Sequence, residues 1–135
     1  MFVLESTYDG AGTIVETLLM KNNEAATAGE TFKFDTGRLS EASGSDKPVY
    51  VGIQTVTAGT DKPVEVIAVR PDQVWVADYV TASTNAPAIG ATHCIDGDGL
   101  NVDADATADS SSVAGKVFII SVDTAKKKCR CKFVG

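Results

Sequence analysis

The sequence predicts an all-β fold, a small β-barrel or β-sandwich of short antiparallel strands. Apolar runs of strand length recur roughly eight to ten times, turn signals separate them, and no convincing amphipathic helix pattern is present. The chain has 135 residues, the size of one domain that can bury a modest core. We expect a single β domain over residues 13–135, preceded by a candidate extended N-terminal arm over residues 1–12.

The N-terminal segment opens with apolar Phe2, Val3 and Leu4 and ends in a Gly-rich turn. It is either a first strand or a detached arm that packs on a neighbour. The apolar run at 13–20 follows, and its length favours a strand. In the next run, Phe32 and Phe34 alternate with polar residues, which predicts a half-buried strand with both rings on one face. A tight turn at 35–38 then leads into a returning strand and a polar loop at 40–46.

The densest β pattern in the chain predicts a hairpin within residues 47–70. Its two halves, 47–56 and 62–70, each follow the pattern Asp-Lys-Pro-Val and are dense in Val and Ile. Proline is tolerated at the start of a strand, and β-branched side chains suit a pleated surface. The connector at 57–61 is short, polar and contains a glycine, so the two halves are expected to pair.

The second half of the chain continues the β pattern. A strand around Trp75 at 73–79 precedes a polar loop at 81–87, and residues 90–100 then repeat the pattern of 29–39, with Gly six positions before Asp in both. This predicts one strand–turn–strand unit used twice. Residues 101–112 are predicted as an acidic loop, and 110–114 as at most one helical turn. Two last strands, 115–122 and 129–134, flank a charged turn at 123–128.

Composition limits the function classes. The net charge of −6 argues against nucleic acid or an anionic membrane as the main partner, because both require concentrated Lys and Arg. No apolar run of about 18 residues is present, and the N-terminus lacks the basic and apolar regions of a secretory signal. We expect synthesis in a cytosol, where three cysteines stay reduced.

Three patterns were considered as chemical sites. Cys129 and Cys131 share a strand face, and Cys94 or His93 on a neighbouring strand would supply a third metal ligand, one short of a zinc site. The interpretation we favour is that the thiols are small buried side chains, and we expect no cofactor. A single His also gives no support for a Cys–His nucleophile, so we expect no enzyme activity.

The acidic turn at 96–99 does not follow the EF-hand pattern. Counted from Asp96, the sixth and twelfth positions hold Asn101 and Thr107, where that loop requires Gly and Glu. The basic cluster Lys126, Lys127 and Lys128 is the one concentration of positive charge. It is either a contact for an acidic patch on a partner or a second copy, or a solvated hairpin tip that blocks edge aggregation.

The order of features from residue 28 to residue 100 resembles the capsid cement, or head decoration, proteins of tailed bacteriophages. The resemblance rests on the segments 28–32, 35–40, 46–53, 63–69 and 90–100. It implies a β-barrel-like virion protein, made in the host cytoplasm, that sits on the outer surface of the head as a homotrimer and clamps major capsid protein subunits. The N-terminal arm, with Phe2, Val3 and Leu4, would then reach a neighbour.

Two alternatives belong to other classes. One is a different self-assembling phage structural protein, such as a tail component. The other is a small metal-binding module built on Cys94, Cys129 and Cys131.

Overall fold

A computed structural model describes residues 1–7, 13–107 and 116–134. Every regular element in those ranges is a β-strand, which confirms the all-β prediction, and none of them contains a helix long and apolar enough to span a membrane. The strands are β1 (Phe2–Thr7), β2 (Val15–Leu19), β3 (Thr31–Asp35), β4 (Arg38–Glu41), β5 (Tyr50–Gly52), β6 (Pro63–Ala68), β7 (Gln73–Val80), β8 (Thr92–Ile95), β9 (Val102–Thr107), β10 (Val117–Asp123) and β11 (Lys128–Phe133).

Five strands form a closed barrel in the order β7-β11-β10-β8-β9. The ring closes where β9 runs parallel to the end of β7, with Tyr79 opposite Val102 and Val80 opposite Asp103. The first half of β7 pairs instead with β1, antiparallel from Phe2 to Thr7. Closure removes the open edges that an isolated small sheet would expose.

The barrel interior is a dense apolar core. Trp75 is completely buried, and its ring lies 5.6 Å from that of Phe133, which in turn lies 5.1 Å from Phe2. Alternation along the strands accounts for this core, since every second side chain of β7 and β11 points inward. The buried members are Phe2, Val51, Trp75, Ala77, Tyr79, Ile95, Val102, Ala104, Val117, Ile119, Cys129, Cys131 and Phe133.

The other five strands form a curled sheet in the order β2-β6-β5-β3-β4. Its outer strands meet, because Met20 forms a bridge with Leu39 and the Lys21 amide donates to the Leu39 carbonyl at 2.8 Å. The curl encloses a second, smaller core of Met20, Ala26, Phe32, Leu39, Val64 and Val66.

The two predicted strand–turn–strand units are the hairpin β3–β4 and the pair β8–β9, and they meet at the joint between the sheets. Gly29 and Gly90, which begin the units, have φ angles of 84° and 82°, a backbone region that glycine enters without strain. Gly44 and Ile95 exchange two backbone hydrogen bonds of 2.8 and 3.0 Å across the joint. Val51 extends the contact by packing into the barrel core.

One predicted loop is a strand. Residues 102–107 form β9, although their aspartates led us to predict a loop over 101–112. Val102 and Ala104 are buried, while the Asp105 carboxylate accepts hydrogen bonds from the Thr81 hydroxyl and the Ala82 amide. The acidic side chains are thus the outer face of a strand and cap a neighbouring loop. The helical turn predicted at 110–114 lies outside the described residues.

The central hairpin is confirmed as an antiparallel pair, but its first strand is shorter than predicted. β5 pairs with β6 from Tyr50 to Gly52, and one further hydrogen bond, from the Ile53 amide to the Glu65 carbonyl, follows before the chain bends. On the other side of β5, the Gly52 amide donates to the Glu30 carbonyl and the Gly52 carbonyl accepts from the Gly29 amide, which extends the pairing with the chain before β3.

Phe34 is exposed, although it shares a strand face with buried Phe32 as predicted. It lies at the end of β3, is 52% exposed, and its ring contacts Tyr50 edge-on with the centroids 5.7 Å apart. Alternation was read correctly, but the second core ends before the strand does.

Candidate functional site

The three thiols are buried in the barrel wall and interior. Cys129 and Cys131 project into the core from β11, as their spacing predicted, and Cys94 lies on β8. A hydrogen bond to Cys129 together with burial raises the pKa of Cys131 well above its usual value, and burial also raises that of Cys94. Cys94 and Cys131 are therefore neutral thiols at physiological pH, small members of the packed structure.

His93 is also buried, and protein groups engage both of its ring nitrogens. The Ala88 amide donates to Nε2 at 3.0 Å, so the ring proton lies on Nδ1, 3.1 Å from the carbonyl of Asp103. The ring thereby ties a surface loop to β9. In the described ranges no group of three or more His, Cys, Asp or Glu side chains is placed to hold a metal ion, so the predicted candidates Cys94, Cys129 and Cys131 are not brought together as a ligand set with His93.

Four carboxylates, Glu24, Glu30, Glu41 and Asp98, form a carboxylate cluster at the joint between the sheets. Glu30 is only 5% exposed, and its Oε2 accepts a 2.7 Å hydrogen bond from the Thr27 amide. Burial, with smaller contributions from the other three carboxylates, raises the pKa of Glu30 to about 7. This joint therefore contains a proton-binding group that titrates near neutrality.

The basic cluster is only partly available to a partner. Lys128 Nζ lies 2.6 Å from the Asp78 carboxylate, and this contact lowers the pKa of Asp78. Lys126 and Lys127 are exposed in the turn between β10 and β11. Of the three predicted contact lysines, Lys126 and Lys127 are therefore exposed to solvent, whereas Lys128 is paired with Asp78.

The N-terminal contact candidates lie in β1, so in the described structure the first of the two alternatives, a strand, applies to residues 2–7. Phe2 is 2% exposed and packs on Phe133, which corrects the expectation that its ring is offered to a neighbour. Leu4 is partly buried against the barrel core, whereas Val3 is half exposed. The remainder of the candidate arm, residues 8–12, lies outside the described residues.

Sequence reasoning missed an exposed apolar surface on the curled sheet. Val15 and Leu19 of β2 are 55% and 40% exposed, and Leu19 lies opposite exposed Pro63 of β6. Ile53 lies on the other side of β6, is 44% exposed, and its amide donates to the Glu65 carbonyl at 3.0 Å. We call Val15, Leu19, Ile53 and Pro63 the apolar face. The signal was present in the sequence, because Glu16 and Leu18 alternate with Val15 and Leu19 and turn toward the interior.

A second surface that sequence reasoning missed is a groove of about 540 Å³ beside the C-terminal end of β11. Its floor is apolar, with Val49, Val69 and Phe133, and Pro48 and Pro71 stand beside it. Val134 and three cationic residues also line it. We call this site the basic groove, and its cations are Lys47, Arg70 and Lys132. Its residues come from three distant parts of the chain, so no pattern in a short stretch of sequence could predict it.

No protein-family model matches the chain, and no curated protein matches it. What the structure defines is a class: a closed five-stranded β-barrel with an attached curled sheet, bearing an apolar face and a basic groove.

Proposed function

We propose that the chain is a structural protein of a tailed-bacteriophage particle. It binds the outer surface of the assembled head as a homotrimer and stabilises the contacts between neighbouring major capsid protein subunits. It acts by binding and not by catalysis. The resemblance in sequence order from residue 28 to residue 100 supports this proposal, because that segment includes both hairpin units and the paired strands β5 and β6.

The observation that carries the proposal is the apolar face. Val15, Leu19 and Ile53 are each at least 40% exposed and lie on or beside paired strands. The opposite side of the same strands is fixed by the second core, since Leu18 and Val64 pack there. Thr17 and Glu65 pair on the same face between Val15 and Leu19, so the surface is mixed, and apolar residues beside polar ones on a fixed surface are typical of a protein–protein interface.

The stabilising effect follows from mass action. A protein that binds only the assembled lattice shifts the equilibrium away from dissociation by RT ln(1 + [L]/Kd) for each site. At a free concentration one hundred times Kd this is about 2.7 kcal/mol per site. Many such sites on one shell add up, so modest affinity at each copy is enough.

The apolar face is tested by binding to purified heads that lack this protein. We expect the wild-type chain to co-sediment with heads. The double variant Val15→Asp/Leu19→Asp should bind at least about tenfold more weakly, because two apolar contacts worth on the order of 1 kcal/mol each are replaced by desolvated charges.

Ile89→Asp is the matched control, since Ile89 is 68% exposed and lies outside the apolar face. It should bind like the wild type. Equal binding by the double variant would contradict the role of the apolar face. Polymers of the purified protein on size exclusion, without binding to heads, would favour a tail component instead.

A further inference from the structure

The basic groove has a charge opposite to that of the molecule as a whole. The chain carries a net charge of −6, yet three of the described residues that line the groove are cationic, Lys47, Arg70 and Lys132, and none of those described is acidic. Arg70 also contacts Asp72 at 3.1 Å, so part of its charge is balanced locally. A local positive potential on an acidic protein favours an acidic partner at this site.

The floor of the groove is held in place before anything binds. Phe133 is 5% exposed, and its ring is fixed between those of Phe2 and Trp75 in the barrel core. Pro48 and Pro71 restrict the backbone beside it, because the proline ring fixes φ. A preorganised site loses little conformational entropy on binding.

The backbone of the groove has few free hydrogen-bond donors, which bears on whether a ligand would be bound through the backbone or through side chains. Pro48 and Pro71 have no backbone N–H, and the Val69 amide already donates to the Val49 carbonyl at 2.9 Å. Addition of a β-strand along these segments is therefore disfavoured. Recognition depends instead on side chains, with apolar contacts on the floor and charge at the rim.

We propose that the basic groove binds an acidic segment of a partner protein, with an apolar side chain of that segment on the Val49–Val69–Phe133 floor and its carboxylates beside Lys47 and Lys132. The phosphates of a nucleic acid or the headgroups of an anionic lipid would pair with the cations but would not fill the apolar floor. The acidic remainder of the molecule would also repel an extended polyanion. The groove chemistry therefore favours a peptide over either.

This inference goes beyond the proposed function, because it holds for any partner that carries such a segment. The identity of the partner as the capsid shell rests on the proposed function. In that case the groove and the apolar face are two contacts of one docked copy. Binding to a peptide tests the groove independently of binding to heads.

The test is an NMR titration of the ¹⁵N-labelled full chain with a capped peptide that alternates aspartate with leucine. We expect chemical-shift changes at the amides of Lys47, Val49, Val69 and Lys132, and weaker binding as salt is raised. The double variant Lys47→Glu/Lys132→Glu should bind about tenfold more weakly, because two attractive contacts become repulsive.

The matched control is Lys21→Glu/Lys62→Glu, which changes the net charge equally at two exposed positions outside the groove. It should retain wild-type affinity for the peptide. Peptides that alternate aspartate with serine, or lysine with leucine, and inorganic polyphosphate should each bind more weakly than the aspartate–leucine peptide. The salt dependence of the wild-type chain provides a second measurement if the groove variant does not fold.

Three outcomes would overturn the inference. One is the absence of shift changes at the groove amides. Another is equal or stronger binding of polyphosphate, which would indicate a site for anions of any kind. The third is an equal loss of affinity in the control variant, which would show that only net charge matters. If the wild-type chain bound the peptide but did not bind phage heads, the proposed function would be contradicted and the groove inference would stand.

Discussion

At the scale of single residues, Glu30 connects burial with a pH-dependent effect. Its carboxyl group lies at the joint between the sheets, with Glu24, Glu41 and Asp98 as the charged neighbours and Lys33 acting on Glu41. Its folded-state pKa of about 7 is higher than its ordinary value of 4.5. Between these two values the unfolded chain releases the proton first, so the contribution of Glu30 to folding becomes less favourable as pH rises.

We predict that Glu30→Gln stabilises the protein at pH 8 and has little effect at pH 5. One pKa unit corresponds to about 1.4 kcal/mol, so the free energy of unfolding should rise by on the order of 3 kcal/mol at pH 8. The Gln carbonyl can still accept the hydrogen bond from Thr27. Urea unfolding of both proteins at the two pH values measures the difference.

Glu65→Gln is the control for that comparison, because Glu65 is exposed on β6. Its substitution should leave the pH dependence of unfolding as in the wild type. If Glu30→Gln unfolded with the same pH dependence as the wild type, the raised pKa of Glu30 would be refuted.

At the scale of elements, strand alternation was the reliable signal and burial depth was not. Cys129 and Cys131 face inward and alternate with Arg130 and Lys132, as the pattern of β11 predicted. Phe34 has the same alternation and is nevertheless exposed, because no second layer extends that far. A period of two gives the face of a strand but not what covers that face.

The missed strand β9 has a related explanation. Asp103 and Asp105 made the segment look like a loop, although they alternate with Val102 and Ala104. The parallel pairing of Tyr79 with Val102, which closes the barrel, joins residues far apart in the chain. Such nonlocal pairing leaves no mark in a short sequence window, and the same is true of the basic groove.

The early end of β5 gives a prediction for Gly52. A Cβ atom at this position would lie 2.9 Å from Phe32 Cε2 and 3.2 Å from the Thr27 carbonyl oxygen. We expect Gly52→Ala to lower the free energy of unfolding by about 1–3 kcal/mol, because the buried Phe32 ring must shift within a packed core. Chemical denaturation measures the change.

Gly97→Ala is the matched control, since a Cβ there meets no atom within 4 Å. Its effect should be small, and a slight stabilisation is expected because alanine restricts the unfolded chain. Equal effects of the two substitutions would contradict the close packing of Gly52 on Phe32.

At the scale of the whole molecule, the barrel and the curled sheet are joined, and each buries the apolar side of its strands in a core of its own. The barrel encloses one core and the curled sheet encloses the other, while Val51 passes from the sheet into the barrel core. The all-β class was predictable from the sequence because it depends on local runs and turns. The division into two cores was not, because it depends on which strands pair.

Two surfaces that this arrangement leaves exposed, the apolar face and the basic groove, are the candidate binding surfaces of the molecule. The apolar face lies on the curled sheet, whereas the basic groove lies where β6 crosses to β7 and β11 ends. Each is fixed by a core behind it, Leu18 and Val64 in one case and Phe133 in the other. Both surfaces are therefore already formed before any partner is present.

The central claim is that this module coats and stabilises a phage head. Electron cryomicroscopy of purified heads, prepared without the protein and then with it added, tests that claim most directly. The account predicts additional density at regular positions on the outer surface, between neighbouring capsid subunits, and a higher temperature of head disassembly. Heads without added density and with an unchanged disassembly temperature would contradict it.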